Sequence, residues 1–353
     1  MEYRQLGRTG LNVSPICFGT GNFAEPTPED EAKRMIDRAL DAGVNLIGTG
    51  NIYAYGKGEQ FIGRALKENG RRQQTIICTM VYPGLFDASQ GAMPYKPGED
   101  PNEQGHSRTS LIKSCEDCLE RLQTDYIDIY LTHRQDPNIP FEETLRAFDD
   151  LIRAGKVRYI GCSTHPAWAV MESIMVSKMN GLAQYVVEEA PYNLLDRRIE
   201  NELIPMCQKF GLGILVWGPI GMGVLAGRYS DTKKYPKGSR ADLMGGYYAE
   251  RVTERGIQVG VEFGKIAKRA GMSPAQLAIL WVKDQPGITA PLMGPRTVEQ
   301  LEHFLPVLDM TLDDEIAAEC DALVPPGSAV ANFHNTTGWM KSKVNWLSPR
   351  SNS

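Results

Sequence analysis

Eight short β-rich runs alternate with longer amphipathic runs along this 353-residue chain, and the alternation predicts an α/β fold, a closed (β/α)8 TIM barrel. The strand runs are almost continuously apolar, as in Tyr126–Leu131, which is typical of parallel strands buried on both faces. A barrel of this kind takes roughly 250 residues or more as one domain. We therefore expect a single domain over 1–353, with its core in 3–325 and a tail over 326–353.

Strands are assigned where β-branched and aromatic residues cluster, and helices where apolar residues recur every three or four positions. The expected strands are Ile16–Gly19, Asn45–Ile47, Thr75–Thr79, Ile127–Leu131, Val157–Cys162, Tyr185–Glu188, Gly213–Trp217 and Thr289–Met293. The expected helices are Thr27–Ala42, Ser107–Leu122, Phe141–Ala154, Ala167–Lys178, Asp196–Phe210, Ala249–Ala270, Ser273–Lys283 and Val298–Val307. Thr27 is expected to cap the first helix, because the acidic residues after it suit a helix N-terminus.

The remaining segments are an N-terminal hairpin and three long loops. Residues 3–14 place a turn between two extended runs, which predicts a β-hairpin that closes the bottom of the barrel. Residues 82–106, residues 229–247 and the tail beyond Val324 are expected as loops. Loops after barrel strands lie on the C-terminal face, where the active sites of such barrels are built.

The composition excludes several classes of protein. The chain has 42% hydrophobic and 23% charged residues and a formal net charge of −5, so we expect no binding to nucleic acid. It has no apolar run long enough to span a membrane, and Met1–Gln5 lacks the apolar core of a signal peptide. Seven dispersed cysteines are typical of reduced thiols in a cytoplasmic protein. The oligomeric state stays open, a homo-oligomer included.

Five ordered motifs give the chain a resemblance to a known family. They are Leu6–Leu11, Asp41–Asn45, Leu122–Asp128, Pro191–Arg197 and Gly218–Gly227. Over residues 3–325 the chain resembles the aldo-keto reductase superfamily. The resemblance implies the barrel fold and, as an expectation, an NADP(H)-dependent oxidoreductase that acts on the carbonyl of a small molecule or sugar derivative.

Reductases of that family use a catalytic Tyr, Lys, Asp and His, and only two of these four are matched here. The resemblance places Tyr53 at the Tyr position and His133 at the His position. Gly48 stands where the Asp is expected and Met80 where the Lys is expected. A nearby cation is what lowers a Tyr pKa from about 10. Its loss predicts proton donation weaker by on the order of 10²-fold or more.

The cofactor pocket implied by the resemblance is partly altered as well. Ser163 matches the first residue of a Ser-Asn pair that holds the nicotinamide carboxamide, while Thr164 replaces the Asn and Glu189 replaces a Gln. Arg296 suits a 2′-phosphate, so we predict NADP(H) in preference to NAD(H). The expected cofactor-binding residues are Gly19, Ser163, Trp217 (stacking on the nicotinamide ring), Gly221, Gly223, Leu225, Gly294, Arg296 and Gln300.

Two alternatives stay open beside the oxidoreductase. In the first, a lyase, dehydratase or isomerase uses Tyr53, His133, Glu189 and His165, expected together at adjacent strand ends, for acid–base chemistry. In the second, the chain is a cofactor-binding subunit without turnover, which the loss of the Lys and Asp would suit. No metal site is expected, because no ligand pair has the close spacing of one.

Overall fold

A computed structural model describes residues 1–81, 102, 105–136 and 138–336. Its strands are β1 Arg4–Gln5, β2 Asn12–Val13, β3 Cys17–Gly19, β4 Leu46–Gly48, β5 Ile76–Val81, β6 Ile127–Thr132, β7 Val157–Ser163, β8 Tyr185–Pro191, β9 Gly213–Trp217 and β10 Ala290–Met293. Strands β3 to β10 are parallel and form a closed barrel in chain order, with β10 pairing to β3 through Leu292 and Cys17. The predicted eight-stranded barrel is confirmed.

Helices surround the barrel. They are α1 Glu29–Asp41, α2 Lys57–Asn69, α3 Arg108–Leu122, α4 Phe141–Arg153, α5 Ala167–Asn180, α6 Leu203–Phe210, α7 Arg240–Met244, α8 Gly246–Glu250, α9 Glu254–Arg269, α10 Pro274–Lys283, α11 Val298–Phe304 and α12 Asp314–Leu323. Apolar side chains fill the layer between these helices and the strands. A second cluster, which includes Cys17, Met80 and Val187, fills the inside of the barrel. Successive strand residues alternate between the two.

The N-terminal hairpin closes the bottom of the barrel, as predicted. Strands β1 and β2 pair antiparallel, and Leu6 belongs to the cluster inside the barrel. The turn packs tightly on the start of β9, because a Cβ added to Gly7 would lie 2.6 Å from the Gly213 backbone nitrogen. Only glycine fits so close an approach at a φ of +55°.

Several helix predictions need correction. Of the predicted helix Asp196–Phe210, only Leu203–Phe210 is α-helix, and α7 and α12 were not predicted. Helix α2 was not predicted, because its glycines weaken the helical pattern; Gly63 is required there, since its Cβ would lie 2.6 Å from Arg121 O. Thr27 does not cap α1: its hydroxyl donates to Arg296 O at 2.9 Å, and Pro28 occupies the cap position. The predicted helix at Ala249–Ala270 divides into α8 and α9, where Thr253 caps α9.

The predicted loops on the C-terminal face have different outcomes. Residues 229–247 contain α7 and the start of α8, so this segment is only partly a loop. Most of residues 82–106 lie outside the described residues. The tail crosses the mouth of the barrel as far as it is described, since the Val330 and Ala331 N–H groups both donate to Leu195 O. It therefore contributes side chains to the same face as the loops.

Two further expectations bear on the whole chain. Across residues 1–81, 102, 105–136 and 138–336, no helix combines the length and apolar character that a membrane crossing requires. All seven cysteines are free and buried. That residues 1–353 form one domain stays a prediction.

Candidate active site

Tyr53 lies just beyond β4, on the C-terminal face of the barrel. It begins a short 3-10 turn, Tyr53–Gly56, in which Ala54 and Tyr55 have φ values of +47° and +56°. Left-handed backbone at two successive non-glycine residues is costly and is concentrated at functional sites. A Cβ added to Gly21 would lie 3.7 Å from the Tyr53 ring, so the ring covers the loop after β3. The local backbone fixes the position of the phenol.

Glu189 faces the inside of the barrel and influences Tyr53 directly. The carboxyl group is buried, and this burial raises its pKa to about 7, while Arg134 acts in the opposite direction. Burial raises the pKa of Tyr53 well above its ordinary value, and the Glu189 carboxylate adds to the shift. Glu189 thus acts electrostatically on Tyr53, and its Oε2 is buried without a hydrogen-bond partner among the described residues.

Gly48 and Met80, the positions at which the resemblance implies a charged pair, are closely packed. A Cβ added to Gly48 would lie 3.0 Å from Cys17 Sγ and 3.3 Å from Leu292 Cδ2. The side chain of Met80 is fully buried and fills the space beside Gly50, whose Cβ would lie 2.9 Å from Met80 Cγ. The space for a carboxylate and an ammonium group has thus been filled with apolar atoms.

His133 follows β6, and Arg134 follows it into the site. The His133 N–H donates to Val81 O at 2.9 Å, and burial with the Arg134 charge holds the pKa of the imidazole well below its usual range. The ring is therefore neutral near pH 7. Arg134 Nη1 donates to His133 O at 2.6 Å and to Thr164 Oγ1 at 3.1 Å, while its Nε is buried without a partner among the described residues.

Ser163, Thr164 and Trp217 form one hydrogen-bonded group at the ends of β7 and β9. Ser163 Oγ donates to Glu189 O at 2.9 Å, and Trp217 Nε1 donates to Thr164 Oγ1 at 3.1 Å. Thr164 has a φ of +58°, which is unusual for a β-branched residue and indicates backbone strain. The hydroxyl of Thr164 thus links Trp217 to Arg134.

The glycine-rich segment after β9 makes a compact turn. Gly221 has a φ of +57° and Gly223 a φ of +97°. Their N–H groups donate to Gly218 O and Ile220 O inside the turn, and the Leu225 side chain is fully buried. A role of these residues toward a diphosphate stays a prediction. Gly19 lies at the end of β3, paired with Gly48 across the sheet.

Three loops meet at Arg296. Asn22 Nδ2 donates to Gly294 O at 2.8 Å, and Asn22 Oδ1 accepts from Arg240 Nη2 at 3.1 Å. Arg296 Nη1 donates to Gly238 O at 2.8 Å, and its backbone N–H donates to Gln300 Oε1 at 2.9 Å. Burial lowers the pKa of Arg296, and the charges of Arg240 and Arg228 lower it further. We call Arg228, Arg240 and Arg296 the arginine cluster.

His165 does not join Tyr53 and Glu189 in the contacts described. It lies with Cys162 and Glu188, whose ligand-type atoms and its own all fall within 4.8 Å of one another. Glu188 accepts from the His165 backbone N–H at 3.0 Å, and His165 Nδ1 pairs with Ser163 O at 3.0 Å. Burial raises the pKa of Glu188 to about 8 and lowers that of His165 to about 3. That no metal is bound stays a prediction.

Arg251, between α8 and α9, completes the mouth of the barrel. Its guanidinium carbon lies 5.1 to 5.3 Å from the ring centroids of the aromatic cage, defined as Trp217, Tyr247, Tyr248 and Phe333. Its Nε donates to Asn335 Oδ1 at 3.0 Å. Burial lowers the pKa of Arg251 to about 10, so it stays charged at neutral pH.

Most of the arginines of the candidate site were not predicted from the sequence. Arg134 adjoins a predicted residue, and Arg228 follows the Gly218–Gly227 motif directly, so their positions carried a signal. Arg240 and Arg251 lie in segments without a recognised sequence motif. Their positions follow only from the way α7 and α8 pack. The site is more cationic than the net charge of −5 suggests.

Residues 15–325 match the sequence model of the aldo/keto reductase family. The chain belongs to this family. This aldo/keto reductase is 35% identical over 335 residues to the uncharacterized oxidoreductase YrpG of Bacillus subtilis (strain 168), covering 93% of this chain and 97% of that protein. It is 31% identical over 331 residues to a probable voltage-gated potassium channel subunit beta of Oryza sativa subsp. japonica, covering 92% and 97%. Membership of the family and the first relative support an oxidoreductase.

Proposed function

We propose that this chain is an NADP(H)-dependent oxidoreductase that acts on the carbonyl of a small molecule or sugar derivative, with a rebuilt proton-donating centre. The observation that carries the proposal is a site with the buried Glu189 carboxyl acting electrostatically on Tyr53 at one end and the arginine cluster at the other. One end offers proton transfer, and the other offers charge for a phosphate-bearing cofactor.

The residues present suit NADP(H). Arg228, Arg240 and Arg296 repel one another electrostatically, and none of them forms an ion pair within the described residues. A group of cations without carboxylate partners is stabilised by an added phosphate, and the guanidinium fork matches phosphate geometry. Arg296 and Arg240 would hold the 2′-phosphate and its neighbouring phosphates, and Trp217 would stack on the nicotinamide. When bound, NADPH supplies hydride to a carbonyl carbon.

The protein's own contribution is to bind the carbonyl oxygen and deliver a proton to it. The Tyr53 hydroxyl stays protonated, since burial and Glu189 raise its pKa, so it donates a hydrogen bond rather than acting as a free phenolate. Protonated Glu189, whose pKa is about 7, replenishes the proton that Tyr53 gives up. We assign to His133 the orientation of the carbonyl, with its imidazole neutral because burial holds its pKa well below the usual range.

One observation also favours a non-redox acid–base enzyme. A buried carboxyl with a pKa of about 7 suits a general base that removes a proton beside a carbonyl, and Tyr53 would then act as the acid. The second alternative, a binding subunit without turnover, has a relative named as a channel subunit in its favour. Both alternative functions are compatible with a cofactor bound at the arginine cluster.

A product analysis separates these functions. The purified chain is incubated with NADPH and a panel of aldehydes and keto-sugars, and both cofactor oxidation and substrate conversion are followed. Equal consumption of NADPH and carbonyl is the expected result. Substrate conversion with the cofactor unchanged would establish acid–base chemistry instead, and tight NADPH binding with no conversion of the panel would indicate a binding subunit.

A further inference from the structure

Arg251 is a buried cation that forms no ion pair with any of the residues that the structure describes. It is 2% exposed, and four aromatic rings surround its guanidinium. Within the described parts of the chain, its one hydrogen bond to another residue runs from Nε to Asn335 Oδ1, and no carboxylate forms an ion pair with it. Burial of a charge without a partner is unfavourable, so proteins usually pair such groups or use them for binding.

The cations that act on Arg251 make its buried charge still less favourable. Arg134 and Arg240 both act on it as like charges, while the groups that act in its favour are the phenols of Tyr247 and Tyr248. Arg134 leaves a buried Nε without a partner in the described residues. Glu189 is the carboxylate that acts on Arg134, and burial raises the pKa of that carboxyl to about 7, which leaves it partly neutral at physiological pH.

Packing does not account for a cation at this position. A leucine or phenylalanine could fill the aromatic cage without the cost of removing a charge from water. Cation–π contacts offset part of that cost, but the two Nη nitrogens form no hydrogen bond with the described residues, since the one bond to another described residue runs from Nε. Both nitrogens belong to a planar fork that matches a carboxylate or phosphate.

We propose that Arg251, with Arg134 beside it, binds an anionic oxygen group of the substrate, so that the enzyme prefers carbonyl compounds that carry a carboxylate or phosphate. Arg251 contacts Trp217, the ring expected to stack on the nicotinamide, so the anionic group would lie next to the reacting carbonyl. The site adjoins the arginine cluster, because Arg251 and Arg240 lie 5.1 and 5.7 Å from the centroid of the same Tyr248 ring. Since the arginine cluster is assigned to the cofactor, the anion site is tested with the cofactor bound as well as without it. The substrate assignment rests on the proposed function; the anion-binding site itself does not.

Calorimetric titration tests the anion site without turnover. The full-length chain, with and without saturating NADP⁺, is titrated with succinate, with its neutral analogue succinamide and with inorganic phosphate. We expect succinate or phosphate to bind at least about tenfold more tightly than succinamide, because hydrogen bonds to charged groups are the strong ones. Equal affinity for succinate and succinamide, with no binding of phosphate, would overturn the proposal.

Two variants assign the binding to Arg251. Arg251→Met should weaken anion binding about tenfold or more and leave succinamide unchanged. Arg255→Met, a matched change at an exposed arginine of α9, should alter neither. If Arg251→Met does not fold, Arg251→Lys replaces it, and there we expect weaker binding with the preference for anions retained. Anion binding that persists unchanged in a folded Arg251→Met protein would refute the role of Arg251.

A turnover arm connects the anion site to the substrate. Succinic semialdehyde and butanal present the same aldehyde with and without a carboxylate, and NADPH oxidation is measured for both. A higher kcat/KM for succinic semialdehyde, lost in Arg251→Met mainly through KM, supports the proposal. Equal rates for the two aldehydes would refute the substrate preference and leave the oxidoreductase function standing. No turnover of either would count against the oxidoreductase, and the calorimetric result would then decide the anion site separately.

Discussion

The two ends of the candidate site differ in what they share with the family. At the phosphate end, Arg296 and the loops around it form a cationic, hydrogen-bonded junction. At the reaction end, Gly48 and Met80 fill with apolar atoms the space that a charged pair would need, and Glu189 introduces a carboxyl group. The contrast agrees with the proposed function, in which the cofactor end is retained and the proton-donating end is altered.

The reason lies in which elements supply each end. The phosphate end is built by loops after β3, β9 and β10, whereas the reaction end is built by residues at the ends of β4, β5 and β8. The two ends meet at the loop after β3, where the Tyr53 ring covers Gly21 and Asn22 Oδ1 accepts from Arg240 Nη2. Experiments on the two ends therefore need separate readouts.

The largest expected effect is at the reaction end. Tyr53→Phe removes the hydroxyl that contacts the carbonyl oxygen, so turnover should fall by on the order of 10² to 10⁴-fold. Steady-state kinetics measures this, and NADPH affinity should be unchanged. Tyr55→Phe is the matched control, since Tyr55 is 61% exposed. Turnover at the normal rate in Tyr53→Phe would place the proton donor elsewhere.

At the phosphate end, Arg296→Ala should weaken NADP(H) binding by about 10- to 100-fold, because a charge-assisted hydrogen bond is lost. Binding of NAD(H), which lacks the 2′-phosphate, should hardly change. Fluorescence titration with both cofactors measures the two affinities, and Arg255→Ala, at an exposed arginine on α9, serves as the control. An equal loss of affinity for NADP(H) and NAD(H) would show that Arg296 does not bind the 2′-phosphate.

Restoring the charged pair tests how the reaction end was altered. Met80→Lys with Gly48→Asp should raise carbonyl reduction by about tenfold or more, since the ammonium would stabilise the tyrosinate. An added Cβ at position 48 meets Cys17 Sγ at 3.0 Å, so Cys17→Ala is needed to make room. Met80→Leu is the uncharged control. A folded, cofactor-binding triple variant without any gain would favour the lyase or isomerase alternative.

The pH dependence of turnover tests Glu189. Reduction requires the protonated form of Glu189, so kcat should fall as the pH rises above about 7, by about tenfold per pH unit. Oxidation of the corresponding alcohol should show the opposite slope. Glu189→Gln should remove the inflection in both directions. An inflection that persists in Glu189→Gln would assign it to another group, such as Glu188, whose pKa is about 8.

Stability should carry a further signal of Glu189 that does not depend on turnover. The pKa of Glu189 is about 7 in the folded chain against 4.5 unperturbed, so the unfolded chain loses its proton first and unfolding becomes easier as pH rises between these values. The loss is on the order of 3 kcal/mol and is complete above about pH 7. Denaturant unfolding of Glu189→Gln and wild type should converge at low pH and diverge above it. Parallel curves for the two proteins would contradict the burial of this carboxyl.

Much of this architecture could be predicted from the sequence because it depends on local patterns. The eight barrel strands were placed from their apolar runs, and Tyr53 and Glu189 were placed by position within motifs. Helix α2 was missed, since Gly63 is needed for contact with α3 and not for helix formation. The grouping of His165 with Glu188 instead of Glu189 depends on strand alternation, which reverses the facing direction at each residue. Arg251 was missed for a different reason: its aromatic cage draws on segments more than a hundred residues apart, Trp217 and Phe333.

The long reach of these contacts has a consequence for biosynthesis. The barrel closes when Leu292 pairs with Cys17, and the cage around Arg251 closes when Phe333 and Asn335 arrive. Contacts between residues this far apart in sequence form late, because a long loop must first be closed. Since a ribosome releases the N-terminal part of a chain first, a nascent chain that ends before Phe333 has every barrel strand but an incomplete substrate mouth. Activity is therefore expected to appear only after the last strand has been translated and the tail has settled across the barrel.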